Sequence, residues 1–302
     1  MTLAAIALLL LSALLHATWN LLGKRQNPGT AFMLLANTLG TLALAPALLI
    51  SPHTLGHFTP AVWGLVVLTG ISQAVYYAGL AGAYRTGDLS LTYPLIRALP
   101  VLIVTGMALL LGQGDPPTAL SLSGMGLIVL GCLVLPLRSF RQFQLRAYGS
   151  PAAGLALLAA LGTVGYSLLD DRALRLLRSA GGLSSANVAI TLVYAFVAGV
   201  SASVWTGLLV WLRREERAAL GRIGRAELRQ AAVVGLFIVV GYGLVLVALA
   251  LVPSIGYAVA FRQLSIPLGT VLGVLYLKEP AYAPRLIGVA LVFVGLVLVA
   301  VG

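Results

Sequence analysis

LSLTYPLIRALPVLIV, Leu89 to Val104, carries a single charge, Arg97, in an otherwise apolar run. About 165 residues later the pattern returns as SIGYAVAFRQLSIPLG, Ser254 to Gly269, with Arg262. Two arginines at matching places in two apolar segments pose the question that decides the fold. Either the segments are buried in a soluble core, or they cross lipid and the arginines face something inside it.

Composition answers the first half. Of 302 residues, 60% are hydrophobic and 9% charged, against roughly 25% charged in an ordinary soluble domain. Apolar runs of about 20 residues recur along the whole length, each enough for a helix to cross a hydrocarbon core of ~30 Å. Ten can be drawn: Leu3–Leu22, Thr30–Ile50, Ala61–Tyr84, Leu89–Leu111, Ala119–Leu137, Ala152–Leu169, Ala186–Leu212, Gln230–Leu251, Ser254–Leu277 and Tyr282–Val301. The expected class is an all-α membrane protein, multi-pass, with the lipid bilayer as its main partner. The first run is read as a retained helix, because it ends in TrpAsn and LysArg without a small-residue cleavage site.

Internal repetition gives the organisation. WNLLGKR at 19–25 aligns with YSLLDDR at 166–172, Arg97 with Arg262, and GMGLIVLGCLVL from Gly124 with GVALVFVGLVLV from Gly288. The offsets are 147, 165 and 164, so one register holds with a modest insertion. Two five-helix units follow, residues 1–146 and 147–302. Five is odd, so the second unit enters the membrane from the opposite side, the inverted-repeat plan of many secondary transporters.

The net charge of +11 resides mostly in short loops, which marks topology rather than a nucleic-acid surface. Fourteen basic residues, from Lys24 to Arg285, fall on one side of the ten-span plan, and only Arg172, Arg175 and Arg178 on the other. The positive-inside rule then places the fourteen in the cytoplasm and both termini outside a cell (inner) membrane.

The mid-helix charges are where chemistry is expected. Arg97 and Arg262 each lie about eight residues, ~12 Å, into their helices, near the midplane of an inverted pair. Each costs about 2.5–3.5 kcal/mol at a helix centre and must face protein or water. They can line a central cavity and hold a carboxylate or phosphoryl group by paired hydrogen bonds, or mend the helix ladder that Pro94, Pro100 and Pro267 interrupt. Tyr93 is one turn before Arg97, and Gln263 adjoins Arg262. On the first helix Ser12, His16, Asn20 and Lys24 follow at four-residue spacing beside Trp19, a polar face through the membrane. The repeat sets Tyr166 opposite Trp19. Gln73 and Tyr77 on the third helix, with Tyr242 as the repeat partner of Tyr77, complete the candidate substrate-binding set. Asn37 reads as interhelical glue.

Some chemistries have no residues to carry them. Cys132 is alone, and His53 and His57 share a loop without acidic or cysteine partners, so neither a metal nor another cofactor is expected. No nucleophile triad or phosphate-cradling loop points to an enzyme. Asp170 and Asp171, placed just past the sixth run, read as interfacial, leaving no carboxylate near the middle of a span.

Against this background LYLKEPAYAPRLIGVALVFVGLVLV, Leu275 to Val299, resembles the final hairpin of the drug/metabolite transporter superfamily, in particular its ten-helix EamA-type members. Glu279 stands at the helix end and a glycine-spaced last helix follows. LLLGQGDPPTALSLSGMGLIVLGCLVL, Leu109 to Leu135, is the similar first-half piece, with Gln113 and Gly114 where a Glu is often found, and Trp19 with Lys24 fits the family's first helix. The chain departs by offering Asn37 where many members carry an arginine. Many members also place both termini in the cytoplasm, opposite to the loop charge here. The resemblance implies a secondary transporter, an exporter, of a small metabolite. The residues themselves point to an anionic or zwitterionic cargo such as an amino acid or a phosphorylated compound. Neutral or cationic hydrophobic cargo with structural arginines, or a lipid-handling role, are the alternatives. Oligomeric state is not readable.

Overall fold

Polar backbone groups in a chain this apolar must be satisfied within helices, and the computed structural model of the chain is built that way. It describes residues 1–24, 29–86, 89–112, 115–135, 137–142, 150–180, 188–277 and 280–302, and among these there is no strand. In chain order the helices are α1 (Leu3–Lys24), α2 (Thr30–Leu42), α3 (Ala45–Ile50), α4 (Pro60–Thr86), α5 (Leu89–Leu110), α6 (Ala119–Val134), α7 (Pro151–Ala180), α8 (Val188–Leu212), α9 (Arg214–Gly221), α10 (Arg225–Ala248), α11 (Ile255–Arg262), α12 (Ser265–Leu277) and α13 (Ala283–Val301). Seven helical stretches are long and apolar enough to cross a membrane; α1, α5 and α6 add shorter apolar ones, Leu3–Trp19, Ala98–Leu110 and Ala119–Val134. This is the mark of a multi-pass membrane protein. Leu10, Leu14, Val204, Trp211 and Phe293 point outward, as side chains in contact with lipid tails do.

Three element boundaries differ from the sequence reading. The run Thr30–Ile50 breaks at Ala43–Leu44, where Ala43 N and Leu44 N turn to the carbonyls three residues back and Pro46 starts α3. The run from Ser254 breaks after Arg262. Pro267 has no N–H for the Gln263 carbonyl, which accepts from Ile266 N instead, at 2.9 Å. Ser265 Oγ takes the Arg262 carbonyl at 2.8 Å. The sixth run does not stop at Leu169, because α7 continues to Ala180.

Helices of residues 1–146 pack chiefly on helices of 147–302. The most extensive contacts are α4 on α7, α6 on α13, α2 on α10, α4 on α8 and α1 on α10. Glycine lets the backbones meet, as expected where lipid supplies no hydrophobic drive between helices. A Cβ on Gly124 would lie 2.6 Å from the Gly295 carbonyl oxygen, and one on Gly295 2.5 Å from that of Gly124. A Cβ on Gly131 would lie 2.8 Å from the Gly288 carbonyl oxygen, and one on Gly288 2.7 Å from the Leu135 backbone. Gly235 abuts Ala36 and Gly40, and Gly70 abuts Ser201.

Outside the long helices, α9 carries one buried charge. Glu216 accepts from Ala31 N at 2.9 Å, at the amino end of α2, where a carboxylate is stabilised by unpaired N–H groups. Its other oxygen lies 3.1 Å from Arg85 Nη1, at the end of α4.

Candidate functional site

A cavity lies among α1, α2, α4, α7, α8, α10 and α11. His16, Trp19, Gln73, Tyr77, Tyr166, Tyr242 and Arg262 all line it, so seven residues far apart in sequence converge. Asn37, Thr41 and Tyr76 join them. The side chains of Tyr93, Arg97 and Asn20, and of Lys24, lie outside the described residues. Gln263 is buried and does not line the cavity; its Nε2 donates to the Val259 carbonyl at 3.1 Å.

Arg262 is the charge whose surroundings are defined. It ends α11, and its Nη2 donates to Tyr166 Oη at 2.7 Å, with the guanidinium 5.6 Å from the centre of that ring. Its side chain does not mend the broken helix, since Ser265 and Ile266 do that. Among the described residues no carboxylate forms an ion pair with it; the ion pairs are Arg85–Glu216 and Arg175–Asp171. Trp19 adds a second unspent donor. Its ring is buried, and Nε1 has no acceptor among the described residues.

The walls are aromatic. Tyr76 stands edge-on to Tyr166, centres 6.0 Å apart, and Tyr166 edge-on to Tyr242 at 6.3 Å, an arrangement that fixes ring positions. His16 packs against Gly241 with Nδ1 2.9 Å from the Ser12 carbonyl oxygen, while Ser12 Oγ donates to the Gly241 carbonyl at 2.7 Å. Asn37 does interhelical work as well as lining the cavity. Its Nδ2 donates to the Gly199 carbonyl and to Ser203 Oγ at 3.0 and 2.9 Å, and its Oδ1 accepts from Tyr77 Oη at 3.1 Å.

Asp170 stands against the reading that the two aspartates are interfacial and that no carboxylate lies near the middle of a span. Because α7 runs on to Ala180, Asp170 falls within it, at 1% exposure. Thr69 Oγ1, Tyr194 Oη and Tyr242 Oη donate to it at 3.0, 2.7 and 2.6 Å. It lines a second, smaller cavity, whose wall also includes Tyr166, Tyr242 and Arg262. Asp171, its neighbour, pairs instead with Arg175 Nε at 2.8 Å. The available signal was the four-residue step from Tyr166 to Asp170 and the apolar spacing of LeuLeuAspAspArgAlaLeuArgLeuLeu, which continues the helix.

No family model matches the chain, and no curated protein matches it. A solved crystal structure of a protein is similar, with 17% sequence identity, a TM-score of 0.72, and coverage of 98% of this chain and 97% of that one. The likeness extends over the whole length and shows a shared fold.

Proposed function

We propose that the chain is a secondary transporter of EamA type, with ten spans in two inverted five-helix repeats, that moves a small anionic or zwitterionic metabolite by alternating access. Arg262 carries the reading. A guanidinium fixed by Tyr166 in a cavity wall, without a carboxylate partner among the described residues, offers donors to a carboxylate or phosphoryl group, and Trp19 Nε1 adds another. The inverted repeat is supported by how the packing exchanges. Swapping the halves turns α1 on α10 into α7 on α4, turns α2 on α10 into α8 on α4, and leaves α6 on α13 in place. One offset of 165 converts the Ala36–Gly235 contact into Ser201–Gly70. Rocking one half against the other around such a cavity is the motion this plan serves.

A second reading, export of hydrophobic cations, is favoured by the tyrosine walls and by Asp170 in the adjoining cavity. Counterflow in liposomes separates the two. Labelled alanine, glutamate and glycerol 3-phosphate represent the first reading and tetraphenylphosphonium the second. At least one of the first three is expected to exchange, with Arg262→Ala cutting the rate by about 100-fold, the worth of a charged hydrogen-bond pair of about 2–3 kcal/mol. Exchange that survives Arg262→Ala would remove the arginine from the site, and movement of tetraphenylphosphonium alone would establish the second reading.

A further inference from the structure

Among the described residues, Asp170 is anchored by hydroxyls rather than by a cation. Oδ1 has two donors, Thr69 from α4 and Tyr194 from α8, whereas Oδ2 has one, Tyr242 from α10. Of the two carboxylates within α7, Asp171 is ion-paired with Arg175 and Asp170 is ion-paired with no described residue. Among the described residues, the titratable and charged groups facing Asp170 are Tyr194 from α8, Tyr242 from α10, Tyr166 from its own helix and Arg262 from α11. The α4 helix presents the neutral Thr69, with Gln73 behind it donating to Tyr242 Oη at 3.2 Å. The oxygens are in direct hydrogen-bond contact, so a metal ion seated among them would have to turn out three hydroxyl protons and spread the cluster. A proton needs no such room.

We propose that Asp170 is a proton-binding site linked to anion binding at Arg262, so that cargo and one proton travel together. The linkage rests on the transporter reading above; the site does not. A buried carboxylate without an ion pair is costly, and Arg262, on the wall of the same cavity, offsets part of that cost at longer range. An anion held by Arg262 cancels the offset, and the carboxylate then gains by taking a proton. The proton goes to Oδ2, the oxygen with a single partner. Tyr242 Oη turns from donor to acceptor and directs its own hydrogen toward the cavity it also lines. Because coupling is reciprocal, protonation of Asp170 tightens anion binding by the same factor.

Infrared difference spectra of the purified full-length protein, recorded from mildly alkaline to mildly acid pH, test the site without any cargo. A carboxylic-acid carbonyl band that grows with acidification is expected in the wild type and missing from Asp170→Asn. It is expected at a displaced frequency in Tyr242→Phe, which keeps the carboxyl and removes one partner, and unchanged in Asp171→Asn. Should Asp170→Asn not fold, the displacement in Tyr242→Phe carries the assignment. A band that never appears, or that ignores both substitutions, refutes the site. The linkage is read in liposomes holding a pH-sensitive dye, with inward gradients of glutamate or glycerol 3-phosphate. Lumenal acidification should accompany uptake in the wild type and fall by about tenfold per anion moved in Asp170→Asn. Uptake with no proton signal in the wild type would overturn the linkage. If neither anion moves, the linkage falls with the transporter reading, and the infrared result still decides the site.

Discussion

Tyr77 and Tyr242 occupy matching places in the two halves, 165 residues apart, and both line the central cavity, yet their hydroxyls are spent differently. Tyr77 donates to the neutral amide of Asn37, on α2. Tyr242 donates to the carboxylate of Asp170, on α7. Around them the scaffold is nearly the same twice over, with Gly70 against Ser201 in one place and Gly235 against Ala36 in the other. The two halves thus share their helix packing and differ in their polar partners. The two matching contacts supply a frame, and the hydroxyl partners are where the two places differ.

Breaking the matching backbone contacts should give the largest effects, equal at both. Gly235→Leu and Gly70→Leu force a side chain into a neighbouring backbone, and each is expected to cost 1–3 kcal/mol or somewhat more, read as a loss of melting temperature in detergent. A large difference between the two would deny the equivalence of the contacts. The tyrosines should then part company. Tyr242→Phe leaves a buried carboxylate short of a donor and is expected to cost ~1.5–3 kcal/mol, against ~0.5–1.5 kcal/mol for Tyr77→Phe, whose partner is neutral. Equal losses by thermal unfolding would erase the distinction. The smallest effect belongs to Gly126→Ala, where nothing stands within 4 Å of the new methyl group. That change should stay within about 0.5 kcal/mol, and a larger loss would mean that the outward face of α6 is covered.

The frame was legible because its signals are long. Apolar runs of about 20 residues recur along the chain, and the helices long and apolar enough to cross a membrane follow them. Helix ends were less legible. The charges of AspAspArg at 170–172 look like a membrane boundary, and only the helical spacing of the leucines beyond them argues otherwise. Breaks after Leu42 and Arg262 had a cue in Pro46 and Pro267, but a proline in the first turn of a new helix reads equally well as a tolerated start. Within the site, Arg262, Tyr166, Tyr242, Gln73, Tyr77, Trp19 and His16 could be selected one at a time, as polar or aromatic residues in apolar runs. Asp170 could not. Its partners Thr69, Tyr194 and Tyr242 come from three other helices, and no local spacing records that they meet.

Glu216 ties α9 to the ends of α2 and α4, and this has a mechanical consequence. The short helix lies in the second half of the sequence, yet its one buried charge is bolted to the first half. Should the halves rock, α9 would ride with α2 and α4 as a strut, and the bending would fall on its two joints. One is the extended backbone at Arg213, and the other is the stretch from Arg222 to Gly224 that leads into α10.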